Sequence, residues 1–121
     1  MSLCILAGAG IIKIAADVFM LGWTHSVEKT RWEEDWRVGE NGLQVTQARI
    51  EGMGAGMETP PDAVFDGVWW RWRPNIPALQ EVLLRRSDAV PEGWRLCAAG
   101  SCMRVADAAE TKDIVALRPC K

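Results

Sequence analysis

Between Phe19 and Val38 the chain alternates at every second position. Phe19, Leu21, Trp23, His25 and Val27 share one side, and after a short break Trp32, Glu34, Trp36 and Val38 share one side as well, with Glu33, Asp35 and Arg37 opposite. This period predicts two half-buried strands. Closing them through Lys29-Thr30, or through Glu28 to Arg31, gives one register. Val27 then faces Trp32, His25 faces Glu34, Trp23 faces Trp36 and Leu21 faces Val38. Apolar residues meet apolar residues, and the single imidazole meets a carboxylate on the side expected to point inward.

The same logic extends along the chain. Cys4 to Leu6 and Ile11 to Ala15, separated by Gly8-Ala9-Gly10, read as two strands or one kinked strand. Asn41-Gly42 is a strong hairpin signal after Val38, and Leu43 to Ile50 forms the next strand. With either turn length, Gln47 and Arg49 are expected on the face of His25 and Glu34. That face would then run from apolar pairs at one end to a polar group at the other, where the core opens into a cleft. The segment GMGAGMETPPD from Gly52 to Asp62 follows, and its glycines allow an anion nest. Val64 to Arg73 alternates again. Leu79 to Arg86 fits a further strand or one short helix. Trp94 to Val105 predicts a hairpin with Ala98 to Ser101 as its loop, which sets Cys97 opposite Cys102 within bridging range. Ile114 to Leu117 is the last strand, and a Cys4–Cys120 bridge follows if the two ends of the chain are neighbouring strands. About eight or nine short strands predict an all-β antiparallel sandwich or open barrel.

At 121 residues the chain is expected to be one domain, spanning 1–121. A net charge of −2 gives no electrostatic reason to expect nucleic acid as a partner. Seven Trp, two Phe and no Tyr predict a core rich in indoles, whose N–H groups need acceptors such as Glu34. The four cysteines contain no Cys-x-x-Cys, and with one His neither a metal site nor a cofactor is expected. Leu3 to Ile12 is apolar but shorter than the roughly 18 residues of a membrane span, and no basic stretch precedes it. Met1-Ser2-Leu3 reads as a remnant standing where an export segment was removed. The expected location is then the periplasm or cell envelope, and otherwise the cytoplasm.

Three chemical readings follow from these residues. His25, Glu34, Gln47 and Arg49 with the Gly54–Gly56 loop suit capture of a small anion, because Arg supplies a bidentate fork and the loop supplies N–H donors. The same groups suit a closed structural network in which Glu34 takes His25 and Arg49 as partners. A hydrolase built on His25 and Glu34 lacks a placed nucleophile, since Ser26 and Thr24 fall on the other side. Arg71, Arg73 and Trp69 are expected on an exposed face rather than on a nucleic-acid platform.

The string WTHSVEKTRWEEDW, followed by GMGAGM and PPD, resembles the bacterial domain-of-unknown-function family numbered eighteen-fifty, from about Phe19 onward. The matching positions are His25, Ser26, Glu28, Glu34, Gly54 and Gly56. The resemblance implies an envelope location and an accessory role beside TRAP-type solute transporters. It carries no catalytic role, and no counterpart of the membrane anchor common in that family is expected in this chain. The combined expectation is a non-enzymatic β-domain that binds a small anionic solute or a transporter component. Its site would be His25, Glu34, Gln47, Arg49, Gly54 and Gly56, with Ser26 and Glu28 in support.

Overall fold

The alternating segments become strands, and the computed structural model describes residues 1–8, 10–24, 30–52, 59–85, 93–105 and 114–121. In chain order the strands are β1 (Ser2–Ala7), β2 (Gly10–Ile14), β3 (Val18–Thr24), β4 (Arg31–Gly39), β5 (Gly42–Glu51), β6 (Val64–Phe65), β7 (Trp69–Trp72), β8 (Val82–Leu84), β9 (Trp94–Ala98), β10 (Ser101–Val105) and β11 (Val115–Cys120). They form two antiparallel sheets, β2-β1-β11-β8 and β10-β9-β3-β4-β5-β7-β6. Among the described residues there is no helix, and Leu79 to Arg86 resolves into a bridge at Leu79 and strand β8. The alternating run from Val64 divides into two strands. Asp66 sits between them and accepts hydrogen bonds from the backbone N–H of Val68 and Trp69 at 2.9 and 2.7 Å, a side chain standing in for a backbone turn.

The core lies between the sheets. Leu3, Ile5, Leu84, Val115 and Leu117 of the smaller sheet meet Phe19, Leu21, Trp36, Val38, Leu43, Val45 and Leu96 of the larger one. Only the first part of the apolar segment at the start of the chain is therefore core strand: Leu3 and Ile5 are almost completely buried, whereas Ile11 and Ile12 of β2 are exposed. The chain ends pair as β1 with β11, and disulfides join Cys4 to Cys120 and Cys97 to Cys102. The second bridge crosses the β9–β10 hairpin, where Trp94, Arg95, Leu96 and Cys97 stand opposite Val105, Arg104, Met103 and Cys102 as the alternation predicts.

Two register expectations are corrected. In the β3–β4 hairpin, Trp23 pairs with Trp32, Leu21 with Glu34 and Phe19 with Trp36. Relative to expectation the strands are slipped by four residues, so Glu34 stands across from Leu21 rather than His25. An even slip leaves every side chain on its own face and keeps aromatic opposite aromatic, so alternation alone does not discriminate the two registers. The ladder ends at Thr24 and Arg31. His25, Ser26 and Glu28 lie outside the described residues.

The second correction is in β5. Val38 pairs with Leu43 and Trp36 with Val45, but Asp35 then pairs with Gln47 and Glu33 with Arg49. Thr46 is an extra residue, a β-bulge, and its hydroxyl donates to the Asp35 carbonyl at 3.1 Å. Beyond it β5 changes faces. Gln47 and Arg49 join Glu33 and Asp35 on the outer side, while Ala48 and Ile50 turn inward.

At the turn entering β5, Gly42 has φ +127°, and its N–H neighbour Leu43 exchanges backbone hydrogen bonds with Leu79 at 2.6 and 2.8 Å. A Cβ at Gly42 would sit 2.4 Å from the Leu79 carbonyl oxygen. Gly42→Ala is expected to lower unfolding stability by more than about 1 kcal/mol in a urea titration, combining backbone strain with the lost approach of Leu79. Gly39→Ala, whose Cβ would meet only the Gly42 carbonyl oxygen at 3.7 Å, should cost far less.

Candidate functional site

The bulge sorts the expected site residues onto opposite faces of the large sheet. The inner row runs Met103, Leu96, Leu21, Glu34, Ala48, Trp72 across six strands. The outer row beside it runs Arg104, Arg95, Gly22, Glu33, Arg49, Arg71, Val64 across all seven. Glu34 is thus separated from Gln47 and Arg49 by the sheet itself. Gly54 and Gly56, like His25, lie outside the described residues.

Glu34 sits among apolar neighbours. Its one hydrogen bond among the described residues is accepted from the Trp36 indole N–H at 3.3 Å. Burial pushes its carboxyl above the ordinary range, and the indole hydrogen bond only partly opposes this. Next to it the strand ends carry an aromatic layer. Trp23 stacks on Trp32 at 5.6 Å and meets Trp94 at 4.6 Å with the rings tilted, contacts worth about 0.5–1.5 kcal/mol each beyond their burial. Trp94 donates to the Arg85 carbonyl at 3.5 Å. The buried Trp32 Nε1 meets no acceptor among the described residues.

The outer row is a charge network. Glu33 spends both oxygens: Oε1 accepts from Arg49 Nε at 2.8 Å and Oε2 from Arg95 Nη2 at 2.9 Å. Arg49 Nη1 donates onward to Asp35 at 2.8 Å and more weakly to Gln47 at 3.4 Å. Arg71 reaches the same Gln47 oxygen at 2.8 Å and Asp66 at 2.5 Å. Arg31 pairs with Glu51 at 2.9 Å, and the guanidiniums of Arg31 and Arg49 lie 5.4 and 5.7 Å from the Trp69 ring centre. Burial works against the Arg49 charge, but its hydrogen bonds to Asp35 and Glu33 outweigh it and raise its pKa. Asp66 is held down to about 2, chiefly by the Trp69 N–H, then by Arg71 and the Val68 N–H.

Gly22 interrupts this row. Its missing side chain leaves a notch of about 160 Å³ flanked by Arg31, Arg95, Arg104 and Glu33, while the rings of the neighbouring Trp23, Trp32 and Trp94 belong to the inner face. Among the described residues Arg104 has no carboxylate partner. Sequence reasoning missed the charged outer row because it assigned Arg49 and Gln47 to the inner face. The signal was present: the apolar positions of β5 change phase, from Leu43 and Val45 to Ala48 and Ile50, as a bulge requires.

Arg49→Ala should lower stability by roughly 3 kcal/mol by denaturant unfolding, because Glu33 and Asp35 are left facing each other without their shared cation. Glu34 gives a pH test. Its folded-state pKa is raised, so folding favours the protonated form, and the destabilisation grows as pH rises from the ordinary carboxylate value through the raised one. Glu34→Gln keeps an acceptor for Trp36 without the charge. At pH 7 the variant should be more stable than the parent by about 1 kcal/mol or more, and the difference should vanish below pH about 4.

No curated protein and no solved structure shows a match to the chain. A family model does, over residues 19–105, which takes in strands β3 to β10 with both the charged outer row and the Gly22 notch. On that match, the chain belongs to the family described as Domain of unknown function (DUF1850).

Proposed function

We propose that the chain is a non-enzymatic binding domain of the cell envelope that takes a small anionic solute at the Gly22 notch. The observation that carries this reading is the charge around the notch. Arg31 is matched by Glu51, and Arg49 and Arg95 by Glu33 and Asp35, whereas Arg104 stands without a carboxylate among the described residues. A concave site with one uncompensated guanidinium suits an anion. Arginine stays protonated at any physiological pH, so the notch supplies charge and hydrogen bonds rather than proton transfer. Two disulfides suit an oxidising compartment. The likeness to a family encoded beside TRAP-type transporters favours solute uptake as the setting. A carboxylate side chain presented by a transporter component would satisfy the same groups.

The expected site therefore keeps its chemistry but moves. Arg49 and Gln47 become the support that anchors Glu33 and, through it, Arg95. His25, Gly54 and Gly56, outside the described residues, remain candidates. A thermal-shift screen of organic acids should find anions that stabilise the protein, since a ligand at one hundred times its Kd adds about 2.7 kcal/mol. Arg104→Ala should abolish that shift while leaving the unliganded melting temperature within about 2 °C, because an exposed side chain without a partner contributes little to stability. If no free anion stabilises the protein, the outer row is a closed structural network and the solute reading fails.

A further inference from the structure

We propose a second anion site on the outer sheet face, one that takes a small organic phosphate monoester between Arg37 and Arg73. It does not rest on the reading of the Gly22 notch. A groove of about 510 Å³ runs beside β5, bounded by residues 73–77 and bordered by Arg37, Gln44, Thr46 and Arg73. Arg37 of β4 pairs with Gln44 of β5, and its neighbours Trp36 and Val38 are buried, so Arg37 and Gln44 share the outer face. Arg71 pairs with Arg49 on that face, and the alternation carries Arg73 to it as well.

Charge points to the ligand. Arg31, Arg49, Arg71 and Arg95 of this face are each met by an acid. Arg37 and Arg73 differ: neither has a carboxylate partner among the described residues. Asp35, two positions from Arg37 on the same strand, is taken by Arg49 at 2.8 Å. Among the described residues the two arginines are the only charged groups that line the groove. Strands in a sheet lie about 4.8 Å apart, so with β5 between them the two residues stand roughly 10 Å apart across the sheet. Two long guanidinium side chains can close that gap onto a single anion held over β5. A phosphate monoester carries about −1.5 to −2 charge at neutral pH and three acceptor oxygens. It matches two arginine forks in both charge and geometry, whereas a monocarboxylate would leave one of them unbalanced.

The groove is also built in advance. Gln44 Nε2 donates to the Ile76 carbonyl at 2.6 Å, and just beyond it Leu43 and Leu79 exchange backbone hydrogen bonds at 2.6 and 2.8 Å, so residues 73–77 are pinned against β5. Pro74 and Pro77 restrict φ within that segment. On the facing side the bulge at Thr46 is tied by its hydroxyl to the Asp35 carbonyl at 3.1 Å. Walls held before a ligand arrives cut the ordering cost of binding. The volume of about 510 Å³ lies within the roughly 300–1,000 Å³ of small-molecule sites. A bare phosphate ion would leave most of it empty, and the remainder accommodates an organic body.

The test is calorimetric titration of the whole chain with glycerol 3-phosphate, glucose 6-phosphate and adenosine 5′-monophosphate. Glycerol, glucose, adenosine, inorganic phosphate, succinate and acetate are titrated in parallel. The expected result is that the best ester binds at least ten-fold tighter than its phosphate-free parent, than inorganic phosphate and than either carboxylate. Arg37→Ala and Arg73→Ala should each weaken that ester about ten-fold or more. The unliganded melting temperature should move by less than about 2 °C in each, because an exposed side chain without a partner contributes little to stability. Arginine stays charged throughout, whereas the ester loses its second charge below a pKa of about 6, so affinity should fall several-fold between pH 7.5 and pH 5. If no ester binds, or binding is indifferent to both Arg37 and Arg73, the site is overturned. Succinate binding as tightly as the best ester, and lost in the same variants, overturns the phosphate class. Inorganic phosphate binding as tightly as every ester overturns the organic body. Ester binding that is lost in Arg104→Ala rather than in the Arg37 and Arg73 variants places the ligand at the notch and overturns a second site.

Discussion

Across the middle of the large sheet, Trp36 pairs with Val45 and the adjoining Asp35 pairs with Gln47, so Thr46 has no place in the ladder. From that point β5 presents its other edge to each layer. Ala48 and Ile50 enter the core, and Arg49 emerges beside Glu33 and Asp35. Without the extra residue an arginine would be driven into an apolar layer next to Glu34, and Ala48 and Ile50 would face outward. The sheet can carry a charged row on one side and an indole layer on the other because this one irregularity absorbs the change of phase.

The polar outer row is held together by sharing. Glu33 is divided between strands β5 and β9, and Arg49 between Glu33 and Asp35 of β4. Each partly buried charge is met by an opposite one with good hydrogen-bond geometry, the condition under which desolvation is offset. Such a row rigidifies its members, which holds Arg95 beside Gly22. On the inner side Glu34 has no such partner among the described residues and relies on one indole N–H, so it is the least well-satisfied charge that the core accommodates.

Much of the architecture was legible from alternation. The β9–β10 hairpin was readable residue for residue, because a short loop between two equal strands leaves a single register, and both cysteines fall in opposed positions. The all-β class followed from the same period-two runs. What escaped reading did so for two physical causes. An even slip of β3 against β4 preserves every face, so pattern is blind to it, and only the length of the connecting loop separates Leu21 opposite Glu34 from Leu21 opposite Val38. The bulge, by contrast, was written in the spacing of Leu43, Val45, Ala48 and Ile50, but a strand read as uninterrupted hides it. The Gly22 notch depends on the first: it exists only once Gly22 is set between Arg95 and Glu33, a juxtaposition of three distant segments.

The bridge between Cys4 and Cys120 spans a sequence separation of 116 residues and ties the first strand to the last. Tension applied through either flank of the chain would therefore pass along a short covalent path from one flank to the other. The two sheets and everything between them hang from that link as an unloaded loop. Pulled from both flanks at once, the body of the fold would feel little of the force while the sulfur–sulfur bond remains intact.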